Sequence, residues 1–151
     1  MIRIINDSEE KKRVVRQILE ALPEWFEVES SREAYIAESA NLLTFGAYDS
    51  TEPVGFLCLR ETGDATIELA VMGVLKSCHR QGIGRQLFAA AKQAAADAGY
   101  SFMQVKTVKM GMYPDYDATN RFYLSCGFRE FEVLPLWDEA NPCQVYVMYL
   151  Q

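Results

Sequence analysis

The chain has 151 residues, half of them hydrophobic, and a formal net charge of −6 at pH 7. This size predicts a single domain over residues 1–151 with a full hydrophobic core, and the acidic balance argues against nucleic-acid binding, which needs a basic face. Because no apolar run approaches the roughly 20 residues of a membrane span and no signal-peptide core follows Met1, we expect a cytoplasmic protein that has no membrane partner.

The spacing of apolar residues predicts elements in the order βααβββαβαββ. A strand over 2–5 is followed by a helix that Asp7 caps and that ends before Pro23, and a second helix runs from Ser31 through Ala40. The later elements are strands over 42–48, 54–60 and 66–75, a helix over 86–98, a strand over 102–108, a helix capped by Asp117 that ends at Gly127, and strands over 128–136 and 144–150.

This element order indicates a mixed α/β sheet with helices on both faces, and it contains too few βα units for a doubly wound nucleotide-binding sheet. The alanine-rich helix is expected to end at Gly99 as its C-cap. It is expected to bury a stripe formed by Ile83, Leu87, Ala90, Ala91, Ala94 and Ala98.

Two glycines, Gly82 and Gly84, lie between the strand over 66–75 and the alanine-rich helix. A strand that turns through glycines into a helix directs backbone N–H groups outward at the positive end of the helix dipole, which favours an anion. The alternative is a plain helix start whose glycines serve tight packing. The surrounding cationic or titratable side chains are Lys76, His79, Arg80 and Arg85.

Two nucleotide-binding motifs do not fit this loop. A nucleoside-triphosphate P-loop needs Gly-Lys followed by Ser or Thr, but Arg85 follows Gly84. A dinucleotide fingerprint needs a third glycine where Leu87 stands.

The layout resembles the GNAT superfamily of N-acetyltransferases. Their signature is Arg or Gln, two residues, Gly, one residue, and Gly or Ala, after a long strand and at the start of a helix; the run His79 to Gly84 matches it. A second family feature, an aromatic-Tyr pair followed after three residues by Gly-Phe, matches Phe122 to Phe128. The resemblance covers essentially the whole chain and implies a mostly antiparallel sheet of about seven strands flanked by about four helices.

The resemblance implies acetyl-CoA as cosubstrate, with its pyrophosphate held by the loop amides and the helix N-terminus. It also implies that the Val74 backbone N–H donates to the acetyl carbonyl. The chain departs from the family at His79, where Arg or Gln is usual, and at Tyr116, where many members carry Asn. The expected cofactor contacts are Met72, Val74, His79, Arg80, Gln81, Gly82, Ile83, Gly84, Arg85 and Asn120.

Acetyl transfer to an amine needs a neutral amine, a donor for the developing oxyanion and a proton for the leaving thiolate. Tyr116, Asn120 and Tyr123 fall at i, i+4 and i+7 and therefore share one face of a short helix. The resemblance implies that Tyr123 is the general acid beside the thioester sulfur. The alternative role for Tyr123 is that of a core residue whose hydroxyl bonds a backbone carbonyl.

Glu68 is the candidate general base. It lies on a strand that is otherwise apolar, eleven residues before His79. This position is similar to that of the base glutamate of some family members. A carboxylate there needs a compensating partner or access to water. Two alternatives remain: a solvent-facing carboxylate at a strand end, and a water molecule as the base.

Substrate clefts in this superfamily are usually built from the first two helices and the loop between the last strands. The residues expected to bind substrate are therefore Trp25, Phe26, Tyr35 and Trp137, with nearby acids that suit a cationic acceptor. The alternative is that the tryptophans belong to the core and that the acids are solvated.

Together these features predict an acetyl-CoA-dependent N-acetyltransferase that transfers its acetyl group directly to the amine of a small molecule or peptide in a ternary complex. The competing class is a non-catalytic acyl-CoA-binding or regulatory module, and a Cys78-His79 hydrolase is a weaker third. Four cysteines without paired metal spacing and a single histidine predict no metal site. A homodimer is compatible with these features.

Overall fold

The computed structural model describes residues 1–150, and its helices and strands follow the predicted order. No helix in that range has the length and apolarity that crossing a membrane requires. The elements are β1 (Ile2–Ile5), α1 (Ser8–Glu20), α2 (Glu29–Ser39), β2 (Leu43–Asp49), β3 (Glu52–Glu61), β4 (Thr66–Val74), α3 (Ile83–Asp97), β5 (Phe102–Val108), α4 (Pro114–Ser125), β6 (Arg129–Leu134) and β7 (Cys143–Tyr149).

The seven strands are hydrogen-bonded in the order β1-β2-β3-β4-β5-β7-β6. The ladder between β4 and β5 is parallel and joins Thr66–Leu69 to Phe102–Val105. Four other ladders, β1 with β2, β2 with β3, β5 with β7 and β6 with β7, are antiparallel. The prediction of a mixed, mostly antiparallel seven-stranded sheet is therefore confirmed.

The chain divides into two compact units. The first unit comprises residues 1–60 and 70–94, and the second comprises residues 61–69 and the described chain from Ala95 onward. Each unit has its own set of candidate functional residues.

In the first unit, α1 packs closely against the end of β4. The side chain of Asp7 accepts a hydrogen bond from the backbone N–H of Glu10 at 2.9 Å, which is the predicted cap of α1. A Cβ atom placed on Gly73 would lie 2.9 Å from Leu22 Cδ1 and 3.0 Å from Ile18 Cγ2. The close approach of α1 therefore accounts for a glycine in this strand.

The buried stripe of α3 differs from the predicted one. Ala98 is exposed because the helix ends at Asp97, and Gly99 follows with a φ of +91°. Ile83, Ala90 and Ala94 are half-buried. The buried residues of the helix are Leu87, Phe88, Ala91 and Ala95. The buried face is therefore rotated toward Phe88 relative to the predicted stripe.

In the second unit, α4 begins at Pro114, ahead of the predicted cap at Asp117. Proline is favoured at the first helical position because its fixed φ suits a helix and its missing N–H would have no helical acceptor. The Asp117 carboxylate instead accepts a hydrogen bond from the Gly111 N–H at 2.7 Å, so it stabilises the preceding loop. The prediction that Asp117 caps the helix was wrong.

Candidate active site

The loop between β4 and α3 turns through residues in the left-handed region of backbone conformation. Arg80 has a φ of +66° and Gly82 a φ of +79°. The first bond of the α3 ladder runs from the Gln86 N–H to the Gly82 carbonyl at 3.0 Å. The amides of residues 83 and 84 therefore precede the ladder and point toward the N-terminal end of the helix, as an anion site requires.

The cations of this loop differ in their surroundings. Arg80 and Arg85 are exposed at the start of α3. The ammonium of Lys76 lies 2.5 Å from the carboxylate of Glu24, and this hydrogen bond lowers the Glu24 pKa. The charge of Lys76 is therefore partly neutralised, and the helix dipole adds positive potential at the helix start.

His79 contacts its own chain on two sides. Its Nε2 lies 2.8 Å from the Val74 carbonyl oxygen, and because a carbonyl only accepts, Nε2 carries the hydrogen of that bond. The imidazole also meets the edge of the Trp25 ring, with centroids 6.1 Å apart and an interplanar angle of 71°. Among the other predicted loop contacts, the Gln81 amide donates to the Ser77 carbonyl at 3.3 Å.

The two strand residues predicted to contact the cofactor, Met72 and Val74, are half-buried. The alternating neighbours Val71 and Gly73 are buried. Met72 and Val74 therefore lie on the face of β4 that is turned away from α1.

In the second unit, Glu68 is only 5% exposed, and the ammonium of Lys106 lies 2.8 Å from its Oε2. Cys143 is near both groups: burial is the main cause of its raised pKa, and the charges of Lys106 and Glu68 also act on it. Glu68 is therefore an interior carboxylate with a cationic partner. This finding excludes the alternative that Glu68 faces solvent at a strand end. A buried carboxylate of this kind needs such a partner.

Tyr123 lies in an aromatic cluster on α4. It is 6% exposed, and its ring centroid is 5.7 Å from that of Phe128 and 6.3 Å from that of Tyr146. Packing against these two rings fixes the orientation of the Tyr123 side chain.

Asn120, one turn before Tyr123, is fully buried. Its amide group donates to the carbonyls of Val108 and Tyr116 at 2.8 and 2.7 Å, and its oxygen accepts from the Tyr146 hydroxyl. With both amide hydrogens used inside the protein, Asn120 supports the helix face rather than presenting a donor to a cofactor. This geometry argues against the predicted cofactor contact.

The strand register places Glu68 and Tyr123 on opposite faces of the second unit's strands. Lys106, which pairs with Glu68, is opposite Val145 in the β5–β7 ladder. The next residue of β7, Tyr146, points to the other face, where it contacts Tyr123. The candidate acid and the candidate base are therefore separated by the strands themselves.

The residues predicted to bind substrate have different environments. Trp25, Phe26 and Tyr35 are partly buried against the core of the first unit, and the rings of Phe26 and Tyr35 meet edge to face at 6.1 Å. Trp137 is 44% exposed. It lines a cavity of about 280 Å³ together with Val133, Leu134, Pro135, Asp138, Glu139 and Pro142.

Three contacts of the site residues were not predicted from the sequence. Lys106 could have been found, because a buried Glu68 needs a cation and Lys106 is the only one in the strand over 102–108. The contact between Tyr146 and Asn120 depends on strand register, and that between Glu24 and Lys76 joins residues far apart in the chain. Neither of these has a local signal.

Comparison with known proteins identifies the class. The family model of the acetyltransferase (GNAT) domain matches residues 40–130, which is more than half of the chain. The chain therefore belongs to the GNAT acetyltransferase family and is an acyltransferase.

Solved structures show the same fold. A GNAT-family protein from Desulfovibrio desulfuricans is 17% identical, covers 100% of this chain and 99% of its own, and has a TM-score of 0.84. An aminoglycoside 6'-N-acetyltransferase complexed with coenzyme A is 20% identical, with coverages of 100% and 97% and a TM-score of 0.78. A GNAT acetyltransferase from Elizabethkingia anophelis with acetyl-CoA bound is 18% identical, with coverages of 85% and 88% and a TM-score of 0.66.

Proposed function

We propose that the protein transfers an acetyl group from acetyl-CoA to a primary amine of a small molecule or peptide, by direct attack in a ternary complex. Family membership supports acetyl transfer in general. Two proteins of the same fold bind coenzyme A or acetyl-CoA, which supports that donor here.

The observation that carries the proposal is the fit of the loop before α3 to a pyrophosphate. Arg80 and Gly82 have positive φ angles, and the helix dipole and two exposed arginines favour negative charge. A Cβ on Gly82 would meet only Gln86 Nε2, at 3.9 Å, so there is open space above this glycine. Gly82, Ile83 and Gly84 would hold the phosphates through their amides, and Arg80 and Arg85 would hold them through charge.

Acetyl-CoA supplies a thioester, and the chain's own residues would move two protons. Glu68, held in place by Lys106, would accept the proton of the attacking amine, either directly or through a water molecule. Tyr123 would donate a proton to the departing thiolate.

The acceptor side is proposed to include Trp25, Phe26, Tyr35 and Trp137. The cavity beside Trp137 has apolar walls and two carboxylates, those of Asp138 and Glu139. An aromatic ring with adjacent acids favours an ammonium group. The best candidates are therefore amines that carry additional positive charge.

The test compares the wild type with the Tyr123→Phe variant, which removes only the hydroxyl and keeps the ring in its aromatic cluster. We expect turnover to fall by about 10²- to 10⁴-fold, as for loss of a general acid, while acetyl-CoA binding by calorimetry is retained. Tyr149→Phe is the matched control, because Tyr149 is 63% exposed, and it should leave turnover unchanged. Glu68→Gln should also lower turnover.

The acceptor screen would measure release of the CoA thiol across polyamines, aminoglycosides, arylalkylamines and peptides. Binding of acetyl-CoA without turnover of any amine would favour the non-catalytic acyl-CoA-binding module. Absence of acetyl-CoA binding would reject the proposal as a whole.

A further inference from the structure

We infer that His79 is a positioning residue: it holds the end of β4 and the ring of Trp25, and it sets the affinity for the acceptor amine rather than for acetyl-CoA. This inference rests on the proposed function. His79 stands at the signature position where an arginine or glutamine is usual, yet its imidazole is engaged by two groups of its own chain.

The first of these groups belongs to the last peptide of β4. The Val74 carbonyl accepts from His79 Nε2 at 2.8 Å, and the N–H of the same peptide, that of Leu75, donates to the Val54 carbonyl at 2.9 Å. We call residues 75–82, between β4 and α3, the cofactor loop. His79 therefore completes the hydrogen bonding of the peptide at which this loop begins. Loss of this bond would release the carbonyl and leave this peptide with the single hydrogen bond from Leu75 to Val54.

The second group is the α1–α2 link, defined as residues 21–28. Trp25 meets the His79 ring edge to face, and the neighbouring Glu24 binds Lys76 at 2.5 Å. Two adjacent residues of the link thus contact two residues of the cofactor loop. The link carries Trp25 and Phe26, which are proposed to bind the acceptor. Movement of the His79 ring would therefore displace residues of the proposed acceptor site.

The phosphate-binding role that an arginine at position 79 would perform is available from other groups. Arg80 and Arg85 are exposed at the start of α3, and the amides of residues 83 and 84 precede its ladder. The affinity for acetyl-CoA can therefore be independent of the His79 side chain, whereas the Trp25 ring is in direct contact with it.

Two variants separate the two contacts. His79→Gln retains an N–H donor for Val74 but lacks the ring, and it should raise the acceptor KM about threefold to tenfold, the size expected for an aromatic edge contact. His79→Phe retains a ring against Trp25 but lacks the donor for Val74, and it should raise the acceptor KM less than His79→Gln does. Neither variant should alter the Kd of acetyl-CoA.

A fluorescence measurement tests the geometry without an acceptor. Trp137 is the only other tryptophan, so a Trp137→Phe background leaves Trp25 as the sole indole reporter. In that background His79→Gln should shift the emission of Trp25. Arg80→Gln is the matched control, and it should weaken acetyl-CoA binding without changing the emission.

The outcomes distinguish this inference from the proposed function. If His79→Gln or His79→Phe weakens acetyl-CoA binding and leaves the acceptor KM and kcat unchanged, then His79 is a cofactor ligand and the inference is wrong. Unchanged Trp25 emission and unchanged kinetics in both folded variants would also overturn it. Failure of the wild type to bind acetyl-CoA would instead reject the proposed function.

Discussion

The hydroxyl of Tyr146 donates a hydrogen bond of 2.5 Å to Oδ1 of Asn120, and both side chains are shielded from solvent. Burial raises the pKa of the Tyr146 phenol, so the hydroxyl stays protonated and remains a donor. The same asparagine donates to the carbonyls of Val108 and Tyr116. One side chain therefore joins α4 to the end of β5 and to β7, and it holds the helix that carries Tyr123.

The first prediction concerns the stability that Asn120 provides. Asn120→Ala removes three hydrogen bonds and leaves the buried Tyr146 hydroxyl and Val108 carbonyl without their partner. We expect the free energy of unfolding to fall by about 3 kcal/mol, since each unsatisfied buried group costs about 1–3 kcal/mol. Tyr146→Phe removes one bond and should cost about 1 kcal/mol. Urea denaturation measures both.

The double variant Asn120→Ala, Tyr146→Phe tests whether the two residues act together. It should be less destabilised than the sum of the two single variants, because the second change removes the hydroxyl that the first left unsatisfied. Thr119→Ala, on the same helix, is the control for helix propensity. Strict additivity would show that the Tyr146–Asn120 bond contributes little.

The order of helices and strands could be predicted because its signals are local. The cap of α1 at Asp7 is a contact between residues three apart, and β5 has the bounds 102–108 that its apolar pattern predicts. The glycine loop was recognised from its own residues and the run that follows it. These features need no knowledge of which strands become neighbours.

The remaining features depend on contacts between distant segments. Glu68 is paired with Lys106 because the parallel ladder places it beside Gln104, two residues before that lysine. Signature position 79 predicted a cofactor contact, but Trp25 and Val74 determine where the imidazole lies. Strand register and the path of the α1–α2 link decide such pairings, and no local pattern encodes either.

The second prediction concerns the backbone of the cofactor loop. Gly82 and Gly99 both have a positive φ, and a Cβ on either would meet little or nothing. Gly82→Ala and Gly99→Ala should therefore each cost a similar backbone strain of about 1–2 kcal/mol. Only Gly82→Ala should also raise the Kd of acetyl-CoA, because it displaces the amides proposed to bind the pyrophosphate.

Calorimetric titration of acetyl-CoA and thermal unfolding of both variants provide the two measurements. Gly99→Ala controls for stability, since Gly99 follows the opposite end of α3. Equal losses of affinity in the two variants would mean that the effect follows from stability alone and that Gly82 has no special role in binding.

The third prediction concerns the four thiols. Cys58 and Cys143 are fully buried, whereas Cys78 and Cys126 are half-buried. Desolvation raises the pKa of Cys58 to about 12 and also raises that of Cys143. Because the thiolate is the reactive form, a disulfide reagent at pH 8 should titrate Cys78 and Cys126 in the native protein and all four thiols in denaturant.

The raised pKa of Cys58 also predicts how stability depends on pH. Its ordinary value is 9.0, so above that pH the unfolded state loses the thiol proton while the folded state keeps it. The unfolded state then binds fewer protons, and the stability contributed by this group is lost as pH rises from 9.0 toward 12. Cys58→Ala should therefore show a smaller decline in stability above pH 9.0 than the wild type. Identical declines in the two proteins would contradict the assignment of a strongly desolvated thiol at Cys58.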